Sequence, residues 1–209
     1  MSMVSKGTVR TIPSKRMMVF IDGTNLLVQL GKELGFGKKE LRADRPPLSC
    51  VILAGEIVKN SIIGKMKNRF SYLDFSLIRS YWFGYYTGDE DIFYSLTESF
   101  RENEFEPCLF KKKKGHNEKG VDIALTKEML INAFNSNFDL ALLIAGDEDY
   151  LPIVSEIKRY GAQIMGSFFN NGLSQRLKIA FDYFQPIELS ILGEKLQQLV
   201  ENIKKEMKL

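Results

Sequence analysis

The chain has few of the side chains that usually carry acid–base and metal chemistry. It holds a single histidine, His116, so tetrahedral zinc sites and Ser-His-Asp or Cys-His catalysis are poorly supported. Its two cysteines, Cys50 and Cys108, are too few and too far apart for a disulfide framework or a Cys-x-x-Cys zinc pair. Reduced thiols in a reducing compartment are the expectation. Neither sign of charge dominates, because 29 basic residues against 26 acidic ones leave a net charge of +3. Any affinity for nucleic acid must then come from local clusters of charge. No apolar run is long enough to cross a bilayer. Residues 1–16, MSMVSKGTVRTIPSKR, are polar and basic, without the apolar centre of a signal peptide. These absences point to a cytoplasmic protein with no membrane partner, whose chemistry rests on carboxylates, lysines or a metal ion.

The composition is that of a globular chain, with 44% hydrophobic and 26% charged residues. A length of 209 residues suits one α/β domain with a terminal appendage. Residues 1–16 read as a loose basic leader, residues 17–186 as the domain and residues 187–209 as a C-terminal helix. Met17–Ile21 is a short apolar run that stops at Asp22-Gly23, the pattern of a buried strand ending in a turn. A helix is expected from Thr24 or Asn25, broken by Gly31 and Gly35, and a charged loop over Lys38–Pro47. A second helix follows over Ser49–Lys67 and a strand over Tyr72–Tyr81. Next come a helix over Asp89–Asn103, a strand over Phe105–Phe110, the polar loop KKKKGHNEKG and a helix over Val121–Phe134.

Leu140–Ala145 is apolar throughout and reads as a fourth strand. After it come a helix over Leu151–Tyr160 with Pro152 in its first turn, a fifth strand over Gln163–Phe168 and a short helix over Leu173–Ala180. Strands alternating with helices predict an α/β fold of three layers, a central and mainly parallel sheet with helices on both faces. In such sheets ligands bind outside the carboxyl ends of the strands. In the last stretch Ile191, Leu192, Leu196, Leu199, Ile203 and Met207 recur at helical spacing. That helix packs on its own domain or on a second copy, which would make a homodimer.

Three stretches carry chemistry. In Phe20-Ile21-Asp22-Gly23-Thr24-Asn25 an aspartate ends a buried strand and faces the mouth of the sheet, although an Asx-turn and a helix cap explain it equally. A phosphatase with an aspartate nucleophile would need a second aspartate where Phe20 stands, so that reading fails. In Gly146-Asp147-Glu148-Asp149-Tyr150 two carboxylates one residue apart follow an apolar strand. They can converge on a divalent cation that prefers oxygen ligands, such as Mg²⁺ or Mn²⁺, or simply cap the next helix. In Lys119-Gly120-Val121-Asp122 the acid opens a helix, where its charge is favourable in any case. A second Gly-Asp-Glu-Asp, at 88–91, reads as the N-cap of the helix behind it. Lys111, Lys112, Lys113 and Lys114, with His116 and Lys119, form a basic loop that is either solvated or holds a polyphosphate backbone. Arg79, Tyr81, Trp82, Tyr85 and Tyr86 end a strand at the same edge, where aromatics either stack on bases or pack in the core.

In this order, the strand with IDGTN, KGVDIALTKEML and LLIAGDEDYLPIVSEIKRYG resemble the NYN domain family, a branch of the PIN-like nuclease fold. The resemblance covers Met17 to Gln185. It implies that Asp22, Asp122, Asp147 and Asp149 form an acidic cluster binding Mg²⁺ or Mn²⁺, with Asn25 beside them to position metal or phosphate. It also implies metal-dependent hydrolysis of RNA, single-stranded or looped, by an endoribonuclease. Two positions depart from the family pattern: Ala145 stands where Ser or Thr is frequent, and Tyr150 where Phe is common. Two other functions remain compatible with the same acids. One is a regulatory module that binds metal and RNA without cutting; the other is a metal-dependent phosphatase or nucleotide hydrolase.

Overall fold

An apolar run such as Met17–Ile21 is stable only where both faces of the strand are covered. The structure, a computed structural model, describes residues 14–35, 48–72, 74–112, 120–190, 198, 200 and 201. In it the run forms the middle of β1 (Lys15–Asp22), with Met17, Val19, Phe20 and Ile21 fully buried. The strand pairs in parallel with β2 (Phe75–Tyr86) on one side and β4 (Leu140–Ile144) on the other. With β3 (Glu106–Lys111), β5 (Gln163–Ser167) and β6 (Tyr183–Phe184), the described residues make a six-stranded sheet in the order β3-β2-β1-β4-β5-β6. Every pairing is parallel.

Chain order dictates the layers. Helices α1 (Gly23–Glu33) and α2 (Leu48–Arg69) connect β1 to β2, and α3 (Glu90–Glu102) connects β2 to β3, winding in one direction. Helix α4 (Gly120–Phe134) carries the chain back to β4. Helices α5 (Leu151–Arg159) and α6 (Gln175–Ala180) lead on to β5 and β6 in the opposite direction. Right-handed crossovers put α1–α3 on one face and α4–α6 on the other. The packing agrees, since α2 touches α1 and α3 while α5 touches α4 and α6. Winding reverses between β1 and β4, which makes that crevice the topological switch point where ligands of parallel sheets bind.

Several boundaries differ from the sequence reading. The first strand begins at Lys15, inside the expected leader. Strand β2 begins at Phe75 rather than Tyr72 and runs on to Tyr86, past its expected end at Tyr81. Gly84 lies within it, where a Cβ would stand 3.0 Å from the Trp82 ring, so the glycine serves packing. Gly31 lies buried within α1, which ends at Glu33 ahead of Gly35 with its φ of 75°. Strand β6 has two residues and no periodicity to betray it. Most of the leader, the loop over 38–47 and nearly all of the C-terminal amphipathic stretch lie outside the described residues. Among the described residues no helix is long and apolar enough to cross a membrane.

The layer of α1 and α2 closes on Trp82, which is 1% exposed and packs against Phe100 and Phe105. The ring lies so close to the backbone that a Cβ on Gly23 would stand 2.2 Å away, and one on Gly55 2.7 Å. Gly23→Ala is expected to cost about 2 kcal/mol through overpacking. Urea unfolding measures it, and an unchanged midpoint would refute the contact.

Candidate functional site

Asp22 is the last residue of β1 and the N-cap of α1. Its Oδ1 accepts the backbone N–H of Asn25 at 2.9 Å, as a capping aspartate does. Its Oδ2 accepts the hydroxyl of Tyr150 at 2.8 Å. The residue is 4% exposed. Burial pushes its pKa up to about 6 against the lowering effect of the Asn25 and Tyr150 bonds, and the charges of Asp122 and Asp147 push the same way.

Asp122 stands in the first turn of α4, where its Oδ1 lies 3.1 Å from the same Tyr150 hydroxyl. Asp147 follows β4 and caps a short 3-10 turn, Glu148–Tyr150, by accepting the N–H of Asp149 at 3.2 Å. Thus each of the three acids sits at a helical N-terminus, as the bland reading holds. They nevertheless converge. Asp22, Asp122 and Asp147 line one open cavity of about 240 Å³, together with Thr24, Asn25, Val28, Tyr85 and Val121.

Asn25 ties the two turns together, because its Oδ1 accepts the N–H of Gly146 at 2.9 Å. With that oxygen engaged, the amide is oriented and its Nδ2 donors remain. Donors cannot ligate a cation; they suit an anionic oxygen. Beside it the Thr24 Oγ1 is buried and has no hydrogen-bond partner among the described residues. Gly146 is required by crowding, since a Cβ there would stand 2.3 Å from the Gly172 carbonyl oxygen and from the Phe168 ring.

Three carboxylates and an unpartnered buried hydroxyl fit a hydrated Mg²⁺ or Mn²⁺, which takes oxygen ligands and keeps several waters. Among the described residues no three Asp, Glu, His or Cys side chains close on one point to enclose an ion by themselves. Water or phosphate oxygens must complete such a shell.

Other expected site residues are placed apart. Asp149 is exposed and is not among the residues lining the cavity. Its neighbour Glu148 is engaged elsewhere, accepting the Ser174 hydroxyl at 2.8 Å and pairing with Arg176. Lys111 is the last residue of β3, paired with Tyr86, and Lys112 follows it; neither lines the cavity. Lys113, Lys114, His116 and Lys119 lie outside the described residues. Of the aromatic group, Tyr81 and Trp82 are buried in the core, Tyr86 packs on Phe93, and Tyr85 alone reaches the cavity. Arg79 turns to the Tyr81 hydroxyl. In the second Gly-Asp-Glu-Asp, Asp89 caps α3 through the Ile92 N–H at 3.1 Å, and none of the four residues lines the cavity. Sequence reasoning overlooked Tyr150 and Thr24. The signal for Tyr150 was its hydroxyl, a polar group on a ring where the family pattern has phenylalanine.

The Asp22 shift has a sign that can be tested. Its folded pKa of about 6 exceeds the ordinary carboxylate value of 3.8, so between the two the folded state binds more proton than the unfolded chain. This contribution to stability is full below the lower value and lost as pH rises through the upper one. In chelator, Asp22→Asn is therefore expected to stabilise the ion-free protein at pH 7.5 by about 2 kcal/mol, an advantage that fades towards pH 4.5. Denaturant unfolding of both proteins across that range measures it. A difference independent of pH would contradict it.

A family model for the NYN domain matches residues 16–188. No curated protein matches the chain. Among solved structures, the chain is similar to a protein of unknown function, VPA0982, from Vibrio parahaemolyticus. That likeness has a TM-score of 0.56 at 15% identity, covering 84% of this chain and 94% of the other. At such low identity it speaks for the fold, which agrees with the parallel three-layer architecture. On the match over residues 16–188, the chain belongs to the NYN domain family, of PIN-like nucleases.

Proposed function

We propose that this protein is a metal-dependent endoribonuclease that hydrolyses phosphodiester bonds of single-stranded or looped RNA in the cytoplasm. The observation that carries the reading is the convergence of Asp22, Asp122 and Asp147 on one cavity at the switch point of the sheet. Family membership supports the nuclease class, and RNA as substrate follows from the family.

Asp22, Asp122 and Asp147 would hold Mg²⁺ or Mn²⁺, the first two each within hydrogen-bond distance of the Tyr150 hydroxyl, which donates to one of them at a time. A divalent cation bound there would acidify a water and offset charge on the phosphate. The Nδ2 donors of Asn25, oriented by the Gly146 N–H, would take a non-bridging phosphate oxygen. Thr24, whose hydroxyl lacks a partner among the described residues, would act beside it. Asp149, two residues beyond Asp147 in the same turn, would orient the attacking water or reach the cation through a water. Lys111–Lys114 and Lys119 would hold the RNA backbone against an otherwise repulsive acidic mouth.

Purified protein with Mn²⁺ is expected to cut labelled RNA internally, and Asp147→Asn to lower that activity about 100-fold or more without unfolding the chain. RNA left intact but bound by both proteins would favour the regulatory module. Hydrolysis of mononucleotides with RNA untouched would favour the small-substrate hydrolase. Charge reversal at Lys111–Lys114 is expected to weaken RNA binding and to reduce the slope of log K against log salt by about 0.7 per lost phosphate contact. An unchanged slope would rule out the basic loop as a backbone contact.

A further inference from the structure

The geometry points to Tyr150 as a positioning residue for the cation, one that links the three acid-bearing elements through its hydroxyl and its own backbone. The inference rests on the metal site proposed above. Tyr150 touches all three carriers by different means. Its hydroxyl lies 2.8 Å from Asp22 Oδ2 on β1 and 3.1 Å from Asp122 Oδ1 on α4. Its own backbone closes the turn that starts at Asp147, three residues before it, with its N–H on the Asp147 carbonyl oxygen at 3.3 Å.

The ring is 1% exposed, so its position is set by packing rather than by solvent. A phenol carries one proton and donates to one carboxylate at a time. The shorter contact goes to the more deeply buried acid, Asp22, and the Asp122 oxygen is held alongside. The hydroxyl is oriented by this geometry as a donor to the acids.

The electrostatics explain why such a residue matters. Asp22, Asp122 and Asp147 bring three carboxylates to one cavity. Three like charges at one mouth separate unless something holds them. The Asn25 N–H fixes one Asp22 oxygen, and the Tyr150 hydroxyl lies between the other Asp22 oxygen on β1 and Asp122 on α4. A phenylalanine at this position would fill the same space and leave both acids without that restraint. Ligand orientation by an outer hydrogen bond is worth roughly 10- to 100-fold in metal affinity.

The test uses the full chain and Mn²⁺ alone, titrated by electron paramagnetic resonance at pH 7.5 into wild type, Tyr150→Phe and Asp147→Asn. The expected result is binding by wild type, loss of binding in Asp147→Asn, and about tenfold weaker binding in Tyr150→Phe, with the ion-free melting curve of Tyr150→Phe still cooperative. A purely structural role would lower the melting temperature and leave Mn²⁺ affinity where it was; that outcome overturns the proposal. Equal or tighter Mn²⁺ binding by Tyr150→Phe also overturns it while leaving the metal site standing. No Mn²⁺ binding by wild type removes the metal site itself and the proposal with it. Should Tyr150→Phe fail to fold, the wild type still decides. Adding Mg²⁺ is expected to shift a tyrosine band in the near-ultraviolet difference spectrum, a shift that Asp147→Asn abolishes; a silent spectrum counts against the proposal.

Discussion

One electrostatic constraint governs the mouth of this sheet: carboxylates are brought together by elements that cannot move apart. Asp22 is fixed by a strand with both neighbours paired, Asp122 by the first turn of α4 and Asp147 by the turn leaving β4. Like charges in partly desolvated space repel, and only a proton, a hydrogen-bond donor or a cation relieves them. The fold supplies two donors to Asp22, the Asn25 N–H and the Tyr150 hydroxyl. They do not suffice, since burial still holds the Asp22 pKa at about 6. The remaining imbalance is what a divalent cation would correct.

Around this centre the polar contacts make a frame. Asn25 joins the turn after β1 to the turn after β4 through the Gly146 N–H. Glu148 joins the turn after β4 to the N-cap of α6 through Ser174 and Arg176. Gln29 donates to Glu33, and Asn171 donates to the same carboxylate, binding α1 to the loop after β5. Within Gly146-Asp147-Glu148-Asp149 the four residues thus have four different fates. One is pressed against a carbonyl, one lines the cavity, one anchors a neighbouring loop and one stays exposed.

The layers and the switch point were legible because Met17–Ile21 and Leu140–Ala145 are apolar at every position, a pattern that demands cover on both faces. The acids were legible through their place directly after such runs. What escaped were features set by contacts distant in sequence. The last residues of β2 escaped, where Gly84 packs against the Trp82 ring. Tyr150 stands out in the sequence only as a departure from the family pattern, and its partners 128 and 28 residues away give the hydroxyl a purpose. Asp149 shares the tight turn with Asp147 but is not among the residues lining the cavity, a placement that spacing alone does not convey. The aromatics after Arg79 were ambiguous for a strand's usual reason: successive side chains point to opposite faces, and most of these proved to serve packing.

The order of the strands also bears on how such a protein is born. The central strand is made first, yet its second neighbour, β4, spans residues 140–144, and the hydroxyl that joins Asp22 to Asp122 belongs to residue 150. A growing chain carries Asp22 before these partners and can pair β1 with β2, but it cannot close the acidic mouth until Tyr150 has left the ribosome. A strand order of this kind completes the cavity last, so the unfinished chain has the acids without the pocket that gathers them.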